Sequence, residues 1–199
     1  MPRPSVEAQR REQILEAASA VIAEVGLQGL RLTDVAKLAG VSSGTVTYYF
    51  DTKKELVNNA FEFNFANSLR RHQWILESGK PPLDVLRLLV NSYLPDDERS
   101  LLAWRVWAEL WAEGMRDKSL QEVNERLYGQ WRDIIADLIR GAQDQGVARS
   151  GDPVRLSNML VGMLDGLAVQ VLLQSDAMTL AQMRETCRGF IDDVIAIAH

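Results

Sequence analysis

The sequence predicts an all-α protein with an N-terminal three-helix domain (residues 1–52) and a larger C-terminal helical bundle (residues 53–199). Apolar residues recur at helical spacing along most of the chain, and no segment shows the alternation that is typical of a strand. Glycine and proline breaks separate these segments, and the strongest is the S-G-K-P-P run at 78–82. A hydrophobic content of 47% over 199 residues is enough for a small domain plus a larger one.

The N-terminal part contains two short helices joined by a tight turn, within the segment 32–56. A longer helix precedes them and ends at Gly26. Thr33 is placed to cap the first short helix, Gly40 allows a left-handed turn, and Ser42 or Ser43 is placed to cap the second. This layout predicts a helix-turn-helix, a motif that lays its second helix in the major groove of DNA.

The second short helix presents small or polar residues on its exposed side. Small side chains let a DNA backbone come close, and hydroxyl groups bind phosphates or base edges. Asp51 or Thr52 is placed to cap the next helix, which begins with Lys53 and Lys54. Lysines at a helix start oppose the helix dipole, and a neighbouring phosphate removes this conflict. The alternative is a packed three-helix domain without a DNA role, which explains only its core candidates: Val35, Leu38, Val46, Tyr49 and Phe50.

At these residues the sequence resembles the TetR family of one-component repressors. The resemblance rests on Thr33, Ala36, Ala39-Gly40-Val41-Ser42, Gly44-Thr45, Tyr48-Tyr49-Phe50, Lys53 and Glu55-Leu56. It implies that Gly44, Thr45, Thr47 and Tyr48 face DNA and that Lys53 holds a phosphate. Thr47 departs from the family pattern, which usually has an aromatic residue there. The full set of expected DNA-binding residues is Thr33, Ser42, Ser43, Gly44, Thr45, Thr47, Tyr48, Tyr49 and Lys53.

Charge divides unevenly along the chain. Residues 1–55 carry seven basic and seven acidic residues, so the remaining residues account for the whole net charge of -5. DNA affinity depends on local charge and not on the overall balance. A neutral DNA-binding part predicts modest non-specific affinity and a need for dimerisation.

The C-terminal part predicts a bundle of about five helices, of which the last two are the expected homodimer interface. The helix at about 153–174 is more apolar than one buried face needs. Gly162 and Gly166 lie four residues apart, so another helix can approach closely there. The expected interface residues are Leu160, Met163, Leu167 and Val171. The alternative is a fully buried central helix of a monomer.

A tryptophan stripe marks the candidate ligand site. Trp104, Trp107 and Trp111 follow i, i+3, i+7 spacing and share one helix face, and Tyr128 and Trp131 lie on the following amphipathic helix. The acidic residues Glu113 and Asp165 are the candidate counter-charges. Aromatic faces with an acid attract organic cations, quaternary ammonium groups above all. The alternative is that the stripe is packed core.

The segments 103–115 and 164–167 are similar to the choline-responsive betaine-synthesis repressor branch of the TetR family. This resemblance implies an inducer such as choline or betaine aldehyde. An apolar inducer, such as a fatty acyl chain or a lipophilic drug, is the alternative.

Other function classes find little support in the sequence. We find no nucleophile with a neighbouring base, no metal-ligand spacing and no phosphate loop, so we expect no catalytic residues, metal or cofactor. Cys187 is the single cysteine, and no apolar run is long enough to span a membrane, so we expect a cytoplasmic protein. The expected function is a homodimeric repressor that binds a palindromic operator and is released by a small molecule. The alternatives are an enzyme with a helical pocket and a DNA-binding protein without a ligand.

Overall fold

The computed structural model describes residues 6–197, which form helices joined by turns and short loops. Within that range it has no strand, and one isolated antiparallel bridge joins Ala148 to Ala196. The helices are α1 (Val6–Gly29), α2 (Leu32–Leu38), α3 (Ser43–Tyr49), α4 (Lys53–Leu76), α5 (Pro82–Tyr93), α6 (Glu98–Gly114), α7 (Lys118–Asp144), α8 (Pro153–Leu172) and α9 (Leu180–Phe190). A short π-helical turn, Ile191–Ile195, follows α9. The prediction of an all-α fold is confirmed.

The chain divides into two compact units. The first comprises Met1–Ser68 and Leu102–Glu125, and the second comprises Leu69–Leu101 and Arg126–His199. The boundary that the sequence predicts after residue 52 stays a prediction: α4 starts at Lys53, but the first unit continues to Ser68 and includes Leu102–Glu125.

The first unit is built on a core shared by α1 to α4 and α6. Its fully buried side chains include Ile14, Ile22, Val35, Val46, Leu56, Phe61 and Leu110. Regular α1 geometry breaks at Gly26, where φ is 74° and ψ is 168°, and one further turn continues to Gly29. This backbone region is almost exclusive to glycine, so the regular helix ends at Gly26, the residue predicted from the sequence.

The second unit places helix starts where local chemistry favours them. Asp152 accepts the Val154 N–H and Pro153 occupies the first turn of α8. Thr179 and Gln182 form a reciprocal capping box at the start of α9. Its core includes Leu86, Leu89, Ile135, Ile139, Leu160, Met183 and Cys187. In the part of the chain that the structure describes, no helix has the length and apolar character needed to cross a membrane.

Some local predictions are wrong. Leu38, predicted as core, is 57% exposed on α2. Thr33 lies inside α2, because the helix starts at Leu32 after Arg31, which provides no side-chain cap. Helix α6 starts at Glu98, because the Asp97 carboxylate accepts the Ser100 N–H at 2.6 Å and caps the helix.

Candidate functional site

The turn between α2 and α3 is closed by backbone and side-chain hydrogen bonds. Gly40 has φ 63°, and the Val41 N–H donates to the Ala36 carbonyl at 2.9 Å. The Ser42 hydroxyl accepts the Thr45 N–H at 3.0 Å, so Ser42 is the cap of α3. The predicted left-handed turn and one of the two predicted caps are therefore present, and they fix the direction of α3.

The outer face of α3 carries exposed small and polar side chains. Val46 is fully buried and anchors the helix, whereas Tyr48 is 76% exposed. Ser43, Gly44 and Thr47 are also exposed, and Thr45 and Tyr49 are half-buried. A Cβ built on Gly44 meets only the Ser42 hydroxyl, at 3.6 Å. The fold itself therefore leaves room for a side chain at position 44. The absence of a side chain there instead allows a molecule outside the protein to come close to the α3 backbone.

The start of α4 holds Lys53 against the end of the α1–α2 connection. The Thr52 hydroxyl accepts the Glu55 N–H at 3.0 Å and caps α4. Lys53 Nζ donates to the Leu30 carbonyl at 2.7 Å, a partner that the sequence does not predict. An ammonium group has three donors, so two remain for a phosphate. Thr33 is exposed on α2.

The three tryptophans of α6 lie on one face and contact one another. The Trp107 and Trp111 rings stack with centroids 6.0 Å apart, and Trp104 meets Trp111 edge-on at 6.3 Å. Phe65 of α4 meets Trp107 edge-on at 6.3 Å. The Trp111 Nε1–H donates to Asn124 of α7 at 3.2 Å. Trp104 is buried and the other two are half-buried, so part of this aromatic surface is accessible.

The opposite side of α6 carries two glutamates that bind the end of α1. The Glu109 carboxylate accepts the Leu27 N–H at 2.8 Å, and the Glu113 carboxylate accepts the Gln28 side-chain amide at 2.8 Å. Glu113 is half-buried, as the helical spacing indicates. Its carboxylate is engaged by Gln28, on the side of α6 away from the tryptophans.

In the second unit, Tyr128 of α7 donates its hydroxyl to Asp165 of α8 at 2.5 Å. Burial raises the pKa of Asp165 to about 6, although the hydrogen bond from Tyr128 acts in the opposite direction. Burial, and then the charge of Asp165, raise the pKa of the Tyr128 phenol, which stays neutral and donates. The Arg132 guanidinium lies over the Tyr128 ring at 5.3 Å. In the described residues, no lysine or arginine forms an ion pair with Asp165.

Trp131 lies in a separate aromatic stack of the second unit. Its ring stacks on Tyr93 at 4.1 Å, and Tyr93 stacks on His72 at 4.7 Å. The His72 Nε2 lies 3.1 Å from the Ser92 carbonyl. Trp131 is 7% exposed, so most of its surface is packed. Sequence reasoning missed Tyr93 and His72, because they reach this stack from other helices.

The predicted interface residues on α8 differ in exposure. Leu160 is 0% exposed and belongs to the core of its own chain, so its assignment to a dimer interface is wrong. Met163, Leu167 and Val171 are half-buried. Gly162 and Gly166 are exposed, and a Cβ built on either meets nothing within 4 Å.

Comparisons with known proteins agree with this architecture. The family model described as "Bacterial regulatory proteins, tetR family" matches residues 14–60, and "BetI-type transcriptional repressor, C-terminal" matches residues 82–196. Two relatives, each named "HTH-type transcriptional regulator BetI", are 29% identical to this chain. The one from Stenotrophomonas maltophilia covers 96% of both chains, and the one from Proteus mirabilis covers 96% of this chain and 94% of its own.

Solved structures show the same similarity. A transcriptional regulator from Saccharomonospora viridis, in complex with choline, has a TM-score of 0.88 and 30% identity. The alignment covers 96% of this chain and 99% of that one. A TetR-family regulator from Rhodococcus sp. has a TM-score of 0.85 and 29% identity, and the alignment covers 94% and 99% of the two chains.

Proposed function

Because this chain belongs to the TetR family and has a BetI-type repressor C-terminal domain, we propose that it binds a palindromic operator as a dimer and is released by a quaternary ammonium compound such as choline. Members of the family bind operator DNA and small molecules, typically as dimers. The relatives are named as regulators, which confirms the expectation that the chain is not an enzyme. A regulator of the chromosome acts in the cytoplasm, which is our proposal for its location.

The exposed face of α3 supports the proposed DNA contacts. Tyr48 projects from a helix that is anchored by Val46, and the Ser42 cap fixes the first turn. Backbone N–H groups and hydroxyls bind phosphates, and the exposed side chains of a recognition helix read base edges. Lys53 contributes a positive charge beside this surface through its two remaining donors.

Operator binding by single variants tests these contacts. Thr45→Ala and Tyr48→Ala should weaken operator binding while the helical circular dichroism spectrum stays that of the wild type. Lys53→Ala should weaken binding to all DNA sequences alike and reduce the slope of log K against log salt by about one. Lys80→Ala, an exposed lysine in the break before α5, is the control for the loss of one positive charge. An unchanged salt slope removes Lys53 from the phosphate contacts.

The proposal of a cationic inducer rests on Asp165. Its carboxylate is half-buried and accepts a hydrogen bond from the neutral Tyr128 hydroxyl, and within the described residues no ion pair joins it to a lysine or arginine. A quaternary ammonium group, which has no N–H to donate, gains Coulomb attraction to such a carboxylate without disturbing the hydrogen bond from Tyr128. The similar regulator from Saccharomonospora viridis binds choline, and this supports the same ligand class here.

A ligand comparison tests the inducer. Choline and its neutral carbon isostere, in which carbon replaces the quaternary nitrogen, are titrated by isothermal calorimetry against the wild type and Asp165→Asn. We expect saturable choline binding to the wild type, weak binding of the isostere, and loss of choline binding in the variant. Equal binding of both compounds would favour an apolar inducer, and binding of neither would remove choline from the proposal.

In this proposal, the inducer releases the operator by shifting the protein between two populations. The operator binds the dimer with its α3 helices at half-site spacing, and the inducer binds another arrangement better, so it lowers operator affinity. Helix α4 includes Lys53 and also continues into the second unit, so we propose that its tilt couples the two events. Unchanged separation of the two α3 helices in crystal structures with and without inducer would contradict this coupling.

The glycine side of α8 is the proposed dimer contact. Gly166→Glu places a charged side chain where the isolated chain has open space, so the protomer should fold normally. We expect sedimentation equilibrium to show monomers for this variant and dimers for the wild type. Gln121→Glu, which adds the same charge at an exposed position of α7, is the control. A dimeric Gly166→Glu protein would move the interface elsewhere.

A further inference from the structure

We propose that Glu109 and Glu113 are positioning residues that hold the end of α1 on α6, and that this contact sets operator affinity. We call the two hydrogen bonds, Leu27 to Glu109 and Gln28 to Glu113, the carboxylate latch. The inference deepens the proposed function, because it names the residues by which α6 acts on the DNA-binding helices. All four residues belong to the first unit.

The more buried half of the latch is the bond between Glu109 and the main chain. The Leu27 N–H follows Gly26, where the regular helix breaks, and N–H groups at such a break need acceptors from outside the helix. The Glu109 carboxylate supplies an acceptor for the Leu27 N–H at 2.8 Å. A charged acceptor on a backbone donor makes a shorter and stronger bond than a neutral one.

The absence of a side chain at Gly26 allows the Glu109 carboxylate to come close to the backbone. A Cβ built on Gly26 lies 3.1 Å from Glu109 Oε2 and 3.4 Å from its carboxyl carbon. The backbone angles there are also almost exclusive to glycine. Both the conformation and the space at this position therefore serve the approach of one side chain from α6.

The latched segment leads directly to the DNA-binding surface. Gln28 binds Glu113, and two residues later the Leu30 carbonyl accepts Lys53 Nζ at 2.7 Å. Leu30 is 2% exposed and immediately precedes α2. A displacement of α6 is thus passed through three consecutive polar contacts to the start of α2 and to Lys53 at the start of α4.

The other face of α6 carries the tryptophan stripe. Trp107 and Trp111 lie two residues on either side of Glu109 along the helix, and at 100° per residue their side chains point away from it. A helix moves as a rigid element over this length. Any event that shifts the stripe therefore shifts the Glu109 carboxylate relative to Leu27.

The first experiment needs no ligand. Operator affinity is measured by fluorescence anisotropy for the wild type, Glu109→Ala, Glu109→Gln and Glu122→Ala, and amide hydrogen exchange is followed at Leu27. Glu122 is an exposed acid on α7 and controls for the lost charge. We expect Glu109→Ala to weaken operator binding about fivefold or more and to speed exchange at Leu27, since allosteric couplings are of this size. Glu109→Gln retains an acceptor, so its operator affinity should lie between those of the wild type and Glu109→Ala.

The second experiment measures the effect of choline on each operator affinity. If the wild type responds, the ratio of affinities with and without choline should fall towards one in Glu109→Ala. A wild type that does not respond to choline contradicts the proposed inducer, while the ligand-free comparison still decides the latch. The latch is wrong if Glu109→Ala binds operator within twofold of the wild type, or if exchange at Leu27 is unchanged.

A variant on the other side of the latch covers the case in which Glu109→Ala unfolds. Gly26→Ala pushes on the same carboxylate, whereas Gly79→Ala also places a Cβ at positive φ but has nothing within 4 Å. We expect Gly26→Ala to weaken operator binding and Gly79→Ala to leave it unchanged. Equal operator affinity in both variants overturns the proposal.

Discussion

Replacing Asp165 by asparagine should make the protein more stable at neutral pH. Burial raises the pKa of this carboxyl from 3.8 to about 6, so above pH 6 the folded state holds a charge that the unfolded chain carries more easily. The difference corresponds to about 3 kcal/mol at ~1.36 kcal/mol per pH unit. Because the side chain is half-buried and partly screened by solvent, we expect Asp165→Asn to gain about 1–2 kcal/mol at pH 7.

The pH dependence identifies the cause of this gain. The penalty in the wild type is small at about pH 4, develops as the pH rises towards 6, and is complete above it. Urea unfolding of both proteins at pH 4 and pH 7 measures the difference in free energy of unfolding directly. Asp133→Asn, at an exposed acid of α7, should change stability by less than about 0.5 kcal/mol.

Two outcomes contradict this reasoning. An Asp165→Asn protein that is less stable than the wild type at pH 7 would mean that the hydrogen bond from Tyr128 outweighs the burial of the charge. A gain of equal size at pH 4 and pH 7 would show that ionisation is not its source.

Three further predictions concern the ligand, the DNA-binding helix and the core. Choline affinity should fall about tenfold between pH 7 and pH 5, because the ionised fraction of Asp165 falls from about nine-tenths to about one-tenth. Calorimetry at both pH values measures this change. An affinity that does not depend on pH would exclude Asp165 as the counter-charge. Ser42→Ala should lower stability by about 1 kcal/mol and weaken operator binding, since the Thr45 N–H loses its side-chain acceptor and keeps only the Ser42 carbonyl. Thermal unfolding and anisotropy test this, and an unaltered melting temperature would contradict it. Leu160→Ala should lower the free energy of unfolding in urea by about 2–5 kcal/mol without changing the dimer dissociation constant. A weakened dimer with normal protomer stability would return Leu160 to the interface.

Features that depend on neighbours in the chain were predictable from the sequence. The left-handed Gly40 and a side-chain cap at each helix start follow from local residue preferences. The sequence leaves Ser42 or Ser43, and Asp51 or Thr52, as caps, and the structure has Ser42 and Thr52 in these places. The helix order and the shared face of the tryptophans follow from 3.6-residue spacing. The family resemblance was correct because its residues lie in this locally determined segment.

Features that depend on distant segments were not predictable. The Leu27–Glu109 bond joins residues 82 apart, and the Tyr128–Asp165 bond joins residues 37 apart, so no spacing rule relates them. Leu160 was misplaced because an apolar helix has the same pattern whether its own chain or a partner covers it. Leu38 was misplaced because a seven-residue helix has too few turns to define its buried face by periodicity.

The stacked tryptophans of α6 also affect how this protein can be observed. Rings 6.0–6.3 Å apart exchange excitation readily, so Trp104, Trp107 and Trp111 emit together and not as three separate sources. Trp74 is 64% exposed and adds a red-shifted background that water quenches. A change in total emission on adding a compound therefore does not identify the ring that responds. A Trp74→Phe protein gives a cleaner optical signal, and phenylalanine replacements within the stripe, made in that background, assign the change to a position.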